Sequence, residues 1–210
     1  MLHKITTSQK TRLGSNTRKN LSEYLMDQER VNKLVRELII EIGEDPTREG
    51  LKDTPERIGR MYQEIFNGYE SDSELSVQFS EDSDTIVARD IQFYSMCEHH
   101  MLPFFGKIHI AYSPNGRVFG ISKLIRLVEK YSKRLQIQER LTKNIADELF
   151  AQGVKGVVVV TDAEHLCMKM RGVRNDATLT SAAYRGIYEN KEEKESIMAM
   201  IRKPTSKASL

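Results

Sequence analysis

The chain has 210 residues, of which 39% are hydrophobic and 30% charged, with no tryptophan, a composition typical of a globular domain rather than a fibrous or disordered chain. No apolar run approaches the roughly 20 residues that a membrane-spanning helix needs, so we expect no membrane partner. The net charge of +2 is unevenly distributed, since residues 1–20 are basic and carry no acid while the remainder is slightly acidic. A body without net positive charge argues against a nucleic-acid-binding protein.

Residues 1–20 carry five Lys or Arg residues among Thr, Ser and Asn. We interpret them as a disordered, solvated basic arm, and a transit peptide is the alternative. There is no secretory h-region, so the expected location is the cytoplasm. Two widely separated cysteines in such a chain do not indicate a disulfide scaffold.

Residues 21–84 are predicted to form an N-terminal helical segment. Apolar residues recur at helical spacing over 31–42, and Gly43 with Asp45-Pro46 marks the end of that helix. Thr54-Pro55-Glu56 predicts the start of a second helix, which ends before Gly68. The acidic, serine-rich residues 70–84 are expected to form a loop.

From residue 85 onward the sequence becomes rich in branched and aromatic residues, which predicts strands. The pattern predicts strands at 85–95 and 107–112, then a turn at 114–116 and a strand at 117–120 that forms a hairpin with the strand at 107–112. Two helices follow, one near 121–131 and one starting at 138. The last predicted elements are a strand at 156–160 and a helix at 190–202. Ser122 is expected to cap the first of these helices. The order predicts an α+β protein with a mainly antiparallel sheet backed by helices.

Two short clusters hold both cysteines and three of the five histidines. Residues 97–100 read CEHH, a C-x-x-H pair with the reach of a metal-binding turn, and His165 and Cys167 follow the strand predicted at 156–160. Side chains two apart after a strand are expected to point to one face. The concentration predicts a metal site. The alternatives are that the cysteines are buried hydrophobic residues or that they form a disulfide.

Five candidate ligands compete for the four positions of a tetrahedral zinc ion. Cys97, His100 and Cys167 would give a catalytic type of site with one open position, leaving His99 and His165 to move protons. The pattern matches neither the nucleobase deaminases nor the H-E-x-x-H proteases.

A candidate anion site follows at 120–126, which reads GISKLIR. Lys123 and Arg126 lie three apart near a predicted helix start, where free N–H groups favour phosphate, and Arg171 follows the second metal cluster. Ordinary solvated charges are the alternative. Glu139 could accept two hydrogen bonds from a guanine edge, or simply stabilise the helix dipole.

Several separated motifs together resemble the GTP cyclohydrolase I family: CEHH at 97–100, GISK at 120–123, QER at 138–140, HLCMKMRGV at 165–173 and TPERIGRMY at 54–62. The resemblance covers roughly residues 30–190. It implies a tunnelling fold (T-fold) with an N-terminal helical extension, and a homodecamer of two pentamers with active sites at subunit interfaces. The implied reaction converts GTP and water to 7,8-dihydroneopterin triphosphate and formate, the first step towards tetrahydrofolate or tetrahydrobiopterin.

Carried over by position, the resemblance implies roles for twelve residues. Zn²⁺ would be bound by Cys97, His100 and Cys167. Proton transfer would fall to His165 and His99, with Ser122 near the ribose and phosphates. Guanine would be read by Gln138 and Glu139, and the triphosphate held by Lys123, Arg126, Arg171 and, from a neighbouring subunit, Arg57.

The implied divisions are a basic arm (1–20), a helical segment (21–84), a T-fold catalytic domain (85–190) and a C-terminal helix and tail (191–210). The segment 174–186 is not placed by the resemblance, and regulation by the N-terminal segment or by a partner stays open. Two rival hypotheses are another tunnelling-fold enzyme acting on a purine or pterin, and a zinc-binding scaffold without turnover.

Overall fold

The computed structural model describes residues 26–70, 75, 78–81 and 83–202. The predicted arm at 1–20 and the tail at 203–210 lie outside the described residues. The helices are α1 (Gln28–Glu41), α2 (Thr54–Ile65), α3 (Ile121–Ser132), α4 (Gln138–Phe150), α5 (Leu166–Lys169) and α6 (Lys191–Arg202). The strands are β1 (Gln78–Ser80), β2 (Ile86–Cys97), β3 (Pro103–Ser113), β4 (Arg117–Phe119), β5 (Leu135–Gln136), β6 (Gly156–His165) and β7 (Leu179–Gly186).

A five-stranded sheet in the order β5-β2-β3-β6-β7 forms the centre of the molecule. All neighbours are antiparallel except the short β5, which runs parallel to the end of β2. This confirms the prediction of an α+β protein with a mainly antiparallel sheet. The segment 174–186, which the motifs left unplaced, supplies the edge strand β7.

Helices cover the two faces of the sheet unequally. The side chains that alternate inward from β2, β3 and β6 pack under α3 and α4 in one large core, whose centre includes Phe104, Ile108, Leu141 and Ile145, all fully buried. On the opposite face, α6 covers a smaller cluster with Ile197 and Ile201. Residues 110–112 of β3 and 157–160 of β6 are therefore buried on both faces, which explains why these two stretches are continuously apolar.

The predicted hairpin between 107–112 and 117–120 is wrong. β4 pairs instead with β1, in an antiparallel register that joins Gln78 to Phe119. Both edges of β3 are already occupied by β2 and β6, so the chain leaves the sheet after the turn. The Phe119 N–H donates to the Tyr112 hydroxyl at 2.9 Å, which fixes the departing chain against β3.

The predicted cap of α3 by Ser122 is also wrong. The helix begins at Ile121 with Gly120 in the N-cap position, and Ser122 is exposed within its first turn. A glycine cap leaves the first N–H groups of the helix without a side-chain acceptor from that position.

The predicted N-terminal helices are present as α1 and α2, which pack on each other. Gly68 joins them to the body: its N–H donates to Lys133 O at 3.1 Å and its carbonyl accepts from Arg134 Nη2 at 2.6 Å. A Cβ at Gly68 would lie 2.5 Å from Lys130 O, so only glycine permits this approach to the end of α3. Within the described residues, no helix has the length and apolar character that crossing a membrane requires.

Candidate active site

The CEHH motif forms the tight connection between β2 and β3. The Cys97 N–H donates to Leu102 O at 2.9 Å, and the Met101 N–H donates back to Cys97 O at 2.8 Å. Met101 closes the loop with a left-handed φ of 51°. The chain therefore reverses within four residues, and this reversal brings the imidazole of His100 back towards the thiol of Cys97.

Cys97, His100 and Cys167 form the one group of potential metal ligands found in the described part of the chain. Their ligand atoms all lie within 4.8 Å of one another, with Cys97 buried, Cys167 half-buried and His100 exposed. The prediction that strand alternation directs Cys167 to the same face as His165 is wrong, because β6 ends at His165 and Cys167 lies in the four-residue α5. The turn of α5, rather than strand alternation, directs its thiol towards Cys97.

The chemistry of this group suits a soft or borderline divalent cation. Burial raises the pKa of the Cys167 thiol, and the nearby Cys97 raises it further. A thiolate at this position consequently requires a positive charge beside it, which a metal ion supplies. The two sulfurs and one imidazole nitrogen match the ligand types of zinc.

His165 lies at the end of β6 in a defined orientation. Its ring stacks on Phe104, with planes 5° apart and centroids separated by 4.8 Å, and its Nε2 lies 2.9 Å from Gln138 Oε1. Burial lowers the pKa of the His165 imidazole, and the negative charge of Glu139 opposes that shift. A neutral imidazole beside the metal-ligand group is suited to accept a proton.

Gln138 is 1% exposed and makes its hydrogen bonds within its own chain. Its Nε2 donates to Thr161 O and to Leu179 O, each at 2.8 Å, so the side chain joins α4 to β6 and β7. The side chain predicted to read guanine therefore has partners within its own chain.

His99 stands apart from the three converging ligands. Its Nδ1 lies 3.9 Å from Cys97 Sγ, and its exposed ring stands edge-on to His100 with centroids 6.3 Å apart. His99 therefore lies next to the metal-ligand group but is not one of its three members.

An ion pair that the sequence analysis missed ties the CEHH loop to α4. Arg140 Nη1 and Nη2 donate to the two oxygens of Glu98 at 2.5 and 3.2 Å. The hydrogen bond from Arg140 is the main reason that the pKa of Glu98 is lowered. Bidentate pairing fixes orientation as well as distance, so the loop is held against the first turn of α4.

Glu139 faces a cavity of about 500 Å³ between α4 and β7. The cavity is also lined by Thr142, Lys143, Ser181, Tyr184, Arg185 and Lys194. The Lys194 ammonium lies 3.9 Å from the centroid of the Tyr184 ring. A carboxylate at the rim of such a polar cavity is available to a ligand, in contrast to its buried neighbour Gln138.

The predicted anion-binding residues are distributed over three elements. Lys123 and the exposed Arg126 lie in the first two turns of α3, and the exposed Arg171 follows α5. Arg57 lies on α2, 3.5 Å from Asp53, and the main packing partners of α2 are α1 and the short helix at Asn67–Tyr69. Neither of these two packing partners carries one of the three metal ligands.

Comparison with known proteins gives a consistent result. A family model described as GTP cyclohydrolase I matches residues 31–202. A protein of Hyperthermus butylicus named GTP cyclohydrolase 1 is 51% identical over 178 residues, covering 84% of this chain and 92% of the relative. Relatives of the same name from Clostridium kluyveri and Clostridium perfringens are 53% and 49% identical, with 94% and 99% of their own lengths covered and 80% and 84% of this chain. Among solved structures, an archaeosine synthase QueF-Like in the apo form matches 50% of this chain and 97% of its own, with 16% identity and a TM-score of 0.42, too low for a conclusion about fold.

Proposed function

Since the chain belongs to the GTP cyclohydrolase I family, we propose that it converts GTP and water to 7,8-dihydroneopterin triphosphate and formate. The observation that carries this proposal is the convergence of the ligand atoms of Cys97, His100 and Cys167 within 4.8 Å of one another, with the oriented His165 two residues before Cys167. The reduced thiols of that group fit a cytoplasmic location.

The donor set fits zinc, which Cys97, His100 and Cys167 would hold with one position left for a ligand from solvent. A bound zinc ion lowers the pKa of water towards 7 and so supplies hydroxide at neutral pH. The protein's part is to keep both thiols and the imidazole together on two rigid connections, the CEHH loop and α5.

His165 acts as the proton carrier in this proposal. Its neutral ring would accept the proton that water releases on adding to C8 of the purine and deliver it to N7 as the C8–N7 bond breaks, after which it returns to its starting state. His99, exposed beside the ligand group, assists in the second proton transfer that accompanies release of formate.

Glu139 is the proposed guanine reader. A carboxylate accepts two parallel hydrogen bonds from the ring N–H and the exocyclic amine of guanine, a pattern that adenine does not offer. Two observations support this role: Glu139 lines the cavity, and its neighbour Gln138 contacts His165.

The triphosphate is held by Lys123, Arg126 and Arg171, with Ser122 near the ribose. Arg57 completes this set from a neighbouring subunit, since α2 packs away from the ligand group within its own chain. The proposal therefore includes a homodecamer of subunits with the tunnelling fold and active sites at their interfaces.

The experiment is a turnover assay with purified protein and GTP, with and without a chelator, in which formate and the oxidised fluorescent pterin are both measured. The proposal predicts both products in equal amounts and their loss with chelator. Formate without pterin would limit the activity to ring opening. Absence of both from folded, zinc-loaded protein would refute the proposal and favour a scaffold without turnover.

A further inference from the structure

Gln138 differs from its neighbour Glu139 in having no exposed hydrogen-bonding surface. Its Nε2 lies 2.8 Å from two backbone carbonyls, Thr161 O on β6 and Leu179 O on β7. Carbonyl oxygens only accept hydrogen bonds, so the two amide hydrogens must point at them. The orientation of the amide is thereby fixed, and Oε1 is the atom that faces His165.

The fixed amide determines which nitrogen of His165 carries the proton. Gln138 Oε1 is an acceptor, so the Nε2 at 2.9 Å must be the N–H donor. In a neutral imidazole the other nitrogen then carries the lone pair.

We propose that Gln138 is a positioning residue that holds the His165 ring in one orientation, with Nε2–H directed at Gln138 Oε1. This assigns Gln138 a role different from guanine recognition, which its burial and its three internal partners disfavour. The tautomer follows from the hydrogen bonds alone, whereas its catalytic consequence depends on the proposed function.

The arrangement fixes the ring in two further ways. Stacking on Phe104 sets the plane of the imidazole, and the hydrogen bond from Nε2 sets its rotation within that plane.

The direct test is ¹⁵N solid-state NMR of histidine-labelled, zinc-loaded protein, at a pH well above the pKa of the imidazole. A variant with His165→Asn assigns the signal by its disappearance. We expect a protonated, pyrrole-type Nε2 and an unprotonated, pyridine-type Nδ1 for His165. A protonated Nδ1 would overturn the proposal, whatever the activity of the protein.

Kinetics of two variants test the catalytic consequence. Gln138→Met removes the acceptor, and we expect kcat to fall by about 10²-fold or more, with mixed tautomers of His165, unchanged zinc content and little change in KM for GTP. Gln138→Glu keeps an oxygen opposite Nε2 but turns a second oxygen towards the carbonyls of Thr161 and Leu179, so we expect the wild-type tautomer at a cost in stability. A raised KM with unchanged kcat and an unchanged tautomer would instead identify Gln138 as a substrate contact.

Thr161→Val is the matched control for damage to the buried polar network. Thr161 is fully buried on β6 and does not line the cavity that Glu139 faces; its hydroxyl accepts from Thr142 Oγ1 at 2.9 Å, and the backbone carbonyl that accepts from Gln138 is unchanged by the substitution. We expect lower stability with the wild-type tautomer and a kcat close to wild type. A loss of kcat equal to that of Gln138→Met would overturn the proposal. If wild-type protein makes no pterin, the proposed function fails while the NMR result still decides the tautomer.

Discussion

Replacing Phe104 by leucine tests how much the orientation of His165 depends on packing. Phe104 is fully buried, stacks on His165 with centroids 4.8 Å apart, and meets Phe93 edge-on at 5.8 Å. Phe104 and His165 are also directly paired across β3 and β6, so the stack is a cross-strand pair. Leucine preserves an apolar side chain at the position but removes both ring contacts.

The expected magnitude follows from these two contacts. Each aromatic pair contributes about 0.5–1.5 kcal/mol beyond its buried area, so Phe104→Leu should lower the free energy of unfolding by about 1–3 kcal/mol in addition to the cost of the smaller side chain. Phe93→Leu removes the same atoms from the same core but only the contact with Phe104, a loss of about 0.5–1.5 kcal/mol. The difference between the variants isolates the stack on His165.

The assay is denaturant unfolding at one fixed concentration of protein and zinc, together with steady-state kinetics on GTP. We expect kcat to fall by about 10-fold or more in Phe104→Leu, because the ring of His165 loses its fixed plane, with zinc content unchanged. Phe93→Leu should keep kcat within about 2-fold of wild type. Equal losses of stability and of kcat in both variants would refute the idea that the stack orients the histidine.

Three further predictions concern the ligand group and its surroundings. Cys167→Ser should lose zinc and turnover together, and retention of stoichiometric zinc with full activity would rule out Cys167 as a ligand. Arg140→Gln should release zinc faster under chelator challenge, because Glu98 in the CEHH loop no longer accepts the two hydrogen bonds that Arg140 donates. Arg140→Lys should restore little, since lysine cannot pair with both oxygens. An unchanged release rate would show that the ion pair does not support the site. Glu139→Ala should raise KM for GTP by about 10²-fold with zinc content unaffected, and an unchanged KM would remove its assigned contact with guanine.

Local patterns predicted the five longer helices and the long strands β2, β3 and β6, but not α5, nor β1, which lies in the predicted loop at 70–84. The start of α4 at Gln138 and the apolar face of α6 are encoded within a dozen residues each. The pairing of β4 is not encoded locally, since the sequence 107–120 is a good hairpin in isolation and only the occupied edges of β3 prevent it. β7 was not predicted as a strand because its sequence, LTSAAYRG, has small residues where strands usually have branched ones.

The candidate site was predictable in its residue types but not in its contacts. Cysteine and histidine are rare enough for their clustering at 97–100 and 165–167 to predict a metal site. Phe104, Arg140 and Thr142 carry common side chains, and their relation to the site arises from strand register and from helix packing across many residues of sequence. No composition or spacing signal distinguishes such residues before the fold is known.

Zinc reconstitution tests the central claim most directly. Protein stripped of metal by a chelator is titrated with zinc, and bound zinc per chain is compared with the rate of formate release from GTP at each step. The account predicts a rate that rises in proportion to bound zinc and reaches its limit at one ion per chain, with no such rise in Cys97→Ser. Full turnover by the metal-free protein, or saturation with zinc without any formate, would contradict it.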